Sequence, residues 1–169
     1  MNKALLVMDM QRLVVGKDHS RLFKYDNETL LRNVNHLIAS YQPENVCYIR
    51  TLMKKNLITR LSPAKAFEGE PSAELADELI VVSANTYVKF VGNAFTNPDL
   101  AVKLRASGIT ELDIIGVDGC GCVPLTAEGA LHEGFSAHVL SSAVATMLPK
   151  RAAKQRSRIT ALGVEYVDQ

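Results

Sequence analysis

The chain has no tryptophan, 6% aromatic residues, three cysteines in 169 residues and a formal net charge of +1. Each shortage excludes something. The 19 basic and 18 acidic residues are spread along the chain, so no basic stripe marks a nucleic-acid or anionic-membrane surface. The expected partner is a small molecule, with no nucleic acid and no membrane. Cysteines at 47, 120 and 122 cannot all pair within one chain and form no disulfide framework, which points to a reducing compartment and a cytoplasmic protein. The opening apolar run, Ala4 to Met8, stops at Asp9, too short for a signal peptide's apolar region or a membrane span. No repeat, low-complexity tract or linker divides the sequence. With 47% hydrophobic residues, one domain over 1–169 with a sizeable core is expected.

What the sequence does have is alternation. Short apolar runs read as strands at Ala4 to Met8, Val46 to Leu52, around Ile80 to Ser83, Tyr87 to Val91, Leu112 to Val117, Ala137 to Leu140 and Val164 to Val167. Between them lie helical patterns. One starts at Asp26 or Asn27 and carries Leu30, Leu31, Val34, Leu37, Ile38 and Tyr41. Another opens at Asn97-Pro98, cap followed by proline, and ends near Gly108. A third runs from Cys122 to Gly134, and a basic amphipathic one from Pro149 to Leu162. Ala73 to Leu79 reads as a short helical piece, and Met53 to Ser72, with Pro63 and Pro71, as a long irregular excursion of the kind that often carries function. Strands alternating with helices predict parallel βαβ units in an open three-layer α/β domain.

The segment Leu112 to Gly134 organises the rest, because an apolar strand runs into a turn with Gly116, Gly119 and Gly121 and then into a helix. Cys122 falls in the first helical turn, where unpaired N–H groups and the macrodipole favour a thiolate. Such a thiol should ionise more easily than a free one. A lone cysteine is otherwise simply a small core residue. In an open α/β sheet, ligands bind beyond the carboxyl ends of the strands. Asp9, Lys89 and Cys122 each sit at such an end, at the rim of the sheet. Their chemistry is complementary, since a cation steadies a thiolate while a carboxylate takes and returns protons. Singly, Asp9 reads as a turn cap and Lys89 as a solvent-seeking side chain; only their joint placement makes a site.

Gly116, Cys122-Val123, Thr126-Ala127, Ala130 and Gly134-Phe135, together with Leu5 to Gln11 and with Lys89 followed by Asn93-Ala94-Phe95, resemble the isochorismatase-like cysteine hydrolases. Gly69 to Leu75 looks like that family's glycine-proline segment. The resemblance covers nearly the whole chain. It implies a Rossmann-like αβα fold with six parallel strands in order 3-2-1-4-5-6, and a catalytic triad of Asp9, Lys89 and Cys122. It further implies a thioester intermediate, an oxyanion held by the main-chain N–H groups of Asp118 and Cys122, and a cis peptide at Val117-Asp118. Gln11, Leu13, Phe95 and Val123 become substrate-pocket candidates, and a homo-oligomer is implied.

Departures narrow this reading. Arg12, Leu13 and Val14 follow where the family commonly has an acidic residue and Phe, and Gly119 replaces a usual threonine. Nicotinamidase-like members carry an Asp-x-His metal site after the second strand, whereas Ile49 to Lys54 contains neither residue. His19, His36, His132 and His138 lie elsewhere, so neither metal nor other cofactor is expected. The expected function is metal-independent cleavage of a C–N bond in a small amide, ureido or imide-like metabolite. Two alternatives stand beside it: a thiol redox or sensing protein using Cys120 and Cys122, and a catalytically silent ligand-binding family member.

Overall fold

Ala4 to Met8 lies in the middle strand pair of a six-stranded, all-parallel sheet in the computed structural model, which describes residues 2–55, 59 and 66–168. The strands are β1 (Lys3–Met8), β2 (Val46–Thr51), β3 (Thr86–Lys89), β4 (Glu111–Gly116), β5 (Ser136–Val144) and β6 (Glu165–Val167), in the spatial order β3-β2-β1-β4-β5-β6. This is the 3-2-1-4-5-6 order that the resemblance implied. Helices α1 (Asn27–Ser40), α2 (Pro98–Ala106), α3 (Cys122–His132) and α4 (Pro149–Thr160) cover its two faces.

Strand periodicity explains the layering. Leu5 and Val7 point to one face, where Leu30, Leu31, Val34 and Ile38 of α1 pack on them. Ala4, Leu6 and Met8 point to the other, against Leu100 and Leu104 of α2, Val123 and Ala127 of α3 and Ile159 of α4. Each large apolar side chain buried in this way contributes about 1.5–3 kcal/mol. The helix starts follow their caps: the Asp26 carboxylate accepts from Thr29 N, and the Asn97 side chain accepts from Asp99 N ahead of Pro98.

Two readings of the sequence need correction. Ile80 to Ser83 is not a strand, because side chains take its main-chain groups: Tyr48 Oη donates to Ile80 O and accepts from Val82 N, and Asn35 Oδ1 accepts from Ile80 N. Ala73 to Leu79 is not a helix; a 3-10 turn spans Pro71–Ala73, after which Leu75 bridges to Gln11. The excursion from Met53 to Ser72 falls partly outside the described residues, at 56–58 and 60–65 with Pro63. β5 runs on to Val144, past the expected Leu140, with a register shift between Ile114 and Gly116. Its extension lets Ala145 donate to Gly116 O and accept from Gly119 N, fastening the turn before α3. No helix among the described residues is long and apolar enough to cross a membrane.

Candidate active site

Asp9, immediately after β1, has a positive φ of 52°, a conformation that costs a non-glycine residue about 1–3 kcal/mol and clusters at functional sites. Asp9 N donates to Ile49 O at 2.9 Å, and Asp9 O accepts from Gln11 N at 2.8 Å, so both neighbours hold it there. Gly116 ends β4 alongside with φ +102°, and a Cβ at that position would lie 2.2 Å from Met8 O. Only glycine permits this approach of β4 to the strand that presents Asp9.

Lys89 is the last residue of β3, in register with Thr51, and Cys122 is the first of α3, reached by the turn after Gly116, which is in register with Met8. Lys89 Nζ donates to Asp9 Oδ2 at 2.9 Å and to Cys122 Sγ at 3.1 Å. A third acceptor is the Thr51 hydroxyl, which itself donates to Asp9 Oδ1 at 2.9 Å. Lys89 is 1% exposed and Asp9 5%, so the pair is packed into the molecule and not set at an open rim. Burial demands such pairing, since an uncompensated charge here would be expensive. Thr51 had no signal in the sequence beyond its place at a strand end.

The thiol corrects another expectation. Burial pushes Cys122 up to about 11, the Asp9 carboxylate adds to the rise, and the Lys89 ammonium only partly offsets them. The burial and the carboxylate beside it favour the protonated form of Cys122. Burial also raises Cys47, to about 12, and Cys120. Cys120 faces Thr146 and Asp118, while Cys122 faces Lys89 and Asp9. The two sulfurs have separate surroundings, which weighs against the redox alternative.

The peptide bond Val117-Asp118 is cis. In the turn that follows, Cys120 N donates to Asp118 Oδ1 at 2.8 Å, Met147 N to Asp118 Oδ2 at 3.1 Å, and Gly121 N and Val123 N to Asp118 O. None of these turn hydrogen bonds among the described residues uses the N–H of Asp118 or of Cys122.

A cavity of about 230 Å³ opens over Cys122 and Asp9. It is lined by Gln11, Leu13, Val14, Phe23 and Tyr25 from the loop after β1, by Thr51, Met53 and Ala66, and by Val117 and Asp118. Of the pocket candidates, Gln11 and Leu13 line it. Gln11 is committed inward, its amide donating to Thr51 O and Ala73 O and accepting from Thr51 N. Phe95 and Val123 are not among the lining residues. Val123 follows Cys122 by about 100° around the helix and turns into the core, and Phe95 stacks on Phe135 at 5.8 Å between ring centroids. Val14, Phe23, Tyr25, Met53, Ala66 and Val117 also line the cavity and are not among the candidates, since nothing in a mixed loop marks which side chains turn inward.

A family model described as the isochorismatase domain matches residues 3–169. A probable hydrolase of Escherichia coli (strain K12) is 33% identical over 144 residues, 77% of this chain and 67% of that protein. An uncharacterized isochorismatase family protein of Bacillus subtilis (strain 168) is 25% identical over 149 residues, 86% of this chain and 79% of that protein. Among solved structures, the pyrazinamidase of Pyrococcus horikoshii in complex with zinc superposes with a TM-score of 0.78 at 26% identity, covering 100% of both chains. The N-carbamoylsarcosine amidase from Thermoplasma acidophilum shares the fold at a TM-score of 0.78 and 24% identity, covering 98% of this chain and 95% of its own. Zinc does not fit the residues described here, because no three His, Cys, Asp or Glu side chains among them gather where they could hold a metal ion. With the family model spanning almost its whole length, the chain belongs to the isochorismatase family.

Proposed function

We propose that the protein is a cysteine amidohydrolase that cleaves the C–N bond of a small amide, ureido or imide-like compound through a thioester on Cys122, without a metal. The observation that carries this reading is the single ammonium of Lys89 bonded to both Asp9 Oδ2 and Cys122 Sγ. Family relatives support the class: one is a probable hydrolase and another a pyrazinamidase.

In this mechanism Asp9 takes the thiol proton as sulfur attacks the carbonyl carbon, which offsets the unfavourable ionisation of a buried thiol. Lys89 steadies the sulfur while charge builds on it, and the Thr51 hydroxyl keeps the Asp9 carboxylate oriented. The carbonyl oxygen becomes an oxyanion against the N–H groups of Asp118 and Cys122. The intermediate collapses, the C–N bond breaks, and Asp9 returns its proton to the leaving amine. Water, deprotonated by Asp9, then adds to the thioester, releasing the acid and restoring the thiol.

A screen that follows ammonia release from primary amides and ureido compounds, and ring opening of cyclic imides by loss of imide absorbance, run with and without a chelator, tests the reading. Turnover that survives chelation, in protein with no stoichiometric zinc or iron, is the expected result. Turnover abolished by chelation and restored by added metal would overturn the metal-free mechanism.

A further inference from the structure

The cavity carries a charge pattern that selects among ligands. Among its described lining residues the charged ones are Asp9 and Asp118, both acidic. Asp9 is matched by the Lys89 ammonium at 2.9 Å. Asp118 has no cationic side chain within ion-pair distance among the described residues, its oxygens receiving only the main-chain N–H groups of Cys120 and Met147. Arg12, from the loop after β1, pairs with Asp77, and Arg50 of β2 with Glu74. The neutral polar groups are also committed, Tyr25 Oη to Val14 O and the Gln11 amide to main chain. What remains for the body of a ligand is the apolar wall of Leu13, Val14, Phe23, Met53, Ala66 and Val117.

We infer that this site takes a ligand whose body is uncharged and apolar, and that Asp118 is the specificity-determining residue that turns away carboxylate-bearing compounds. The statement deepens the hydrolase reading, on which the word substrate would rest, but the selection itself is a property of the cavity. A second negative charge placed beside Asp118 in a partly enclosed, weakly solvated space meets repulsion, with no guanidinium or ammonium among the described lining residues to answer it. An apolar group displaces water from apolar walls and leaves no polar atom unpaired.

The test needs no substrate. Iodoacetamide and iodoacetate are nearly equal in size and differ by one negative charge, and both alkylate a thiol such as that of Cys122, which lines the cavity. Their rates at Cys122, located by peptide fragmentation, are each divided by the rate with glutathione at the same pH. The expected result is a preference for iodoacetamide of at least about tenfold over that reference, a fold-change in keeping with like-charge repulsion in a confined site. Asp118→Asn should shrink the preference, and Asp118→Glu, which keeps the charge, should retain it. Iodoacetate reacting at Cys122 as fast as iodoacetamide, relative to glutathione, would overturn the inference using the parent protein alone, however the variants fold. A failed amide screen beside a preserved iodoacetamide preference would sink the hydrolase reading and leave this one standing.

Discussion

Gly116 passes Met8 so closely that a Cβ on it would lie 2.2 Å from the Met8 carbonyl oxygen, and its φ is +102°. The two strands that meet there present Asp9 and the turn that leads to Cys122. Gly116→Ala is therefore expected to destabilise the protein by more than about 3 kcal/mol, since the obstacle is main chain and cannot swing aside. Gly134→Ala is the control: its φ is also positive, +84°, but nothing lies within 4 Å, and about 1–2 kcal/mol is expected from the left-handed backbone alone. Urea titration of both variants measures the difference, and equal losses would show that the close approach is not what selects glycine.

Thr51 is bonded to both Asp9 and Lys89. Thr51→Val keeps the shape and removes the hydroxyl, leaving a carboxylate oxygen and an ammonium proton short of a partner in a buried site. A loss of about 1–3 kcal/mol in stability is expected. Turnover should also fall, and Thr51→Ser should restore most of it. Thermal melts and steady-state kinetics on the three proteins check this, and a Ser variant as impaired as Val would assign Thr51 a packing role only.

Removing Lys89 should cost more than activity. Asp9 and Lys89 are both nearly inaccessible, and breaking a buried pair from one side typically costs about 3–5 kcal/mol. Lys89→Met is expected to lose turnover and that much stability together, whereas Cys122→Ala should lose turnover with little change in folding. Denaturant titration distinguishes the two. This departs from the rim position expected from sequence, because strand-end residues of a sheet can be roofed by neighbouring loops that sequence does not reveal.

That difference marks where sequence reading succeeds. Ala4 to Met8 and Glu111 to Gly116 are legible because strands buried on both faces are continuously apolar, and α1 and α2 because Asp26 and Asn97 cap them with side-chain oxygens. Asp9, Lys89 and Cys122 are found together because strand ends of a parallel sheet share one edge. Ile80 to Ser83 misleads, since a short apolar run looks like a strand whether sheet partners or the Tyr48 and Asn35 side chains satisfy its main chain. The cavity walls are illegible for a different reason. Val14, Phe23 and Tyr25 come from a loop with no period, so their inward direction is set by tertiary contacts.

Cys122 should report its own burial. With the thiol pushed up to about 11, the thiolate is a minor form at neutral pH, and its fraction rises roughly tenfold per pH unit through this range. The iodoacetamide rate at Cys122 is expected to climb between pH 7 and 9 without levelling. Cys122 should still be labelled before Cys47, which is 1% exposed. The sign for stability is the same: a thiol whose folded value lies above its unfolded one favours folding below the unfolded value, and that contribution is lost as pH rises through about 11. A rate plateau below pH 7 would mean that a preformed thiolate–ammonium pair is the resting state.

The central claim is that Cys122, and not its neighbour Cys120, forms the covalent bond to the ligand's carbonyl carbon. The most direct measurement compares ammonia release by Cys122→Ala and Cys120→Ala on any amide the parent hydrolyses. Cys122→Ala is expected to fall by at least about a thousandfold, as loss of a nucleophile does, while Cys120→Ala stays within a few-fold of the parent. Turnover by Cys122→Ala within a few-fold of the parent, or loss of turnover in Cys120→Ala with its fold intact, would contradict the account.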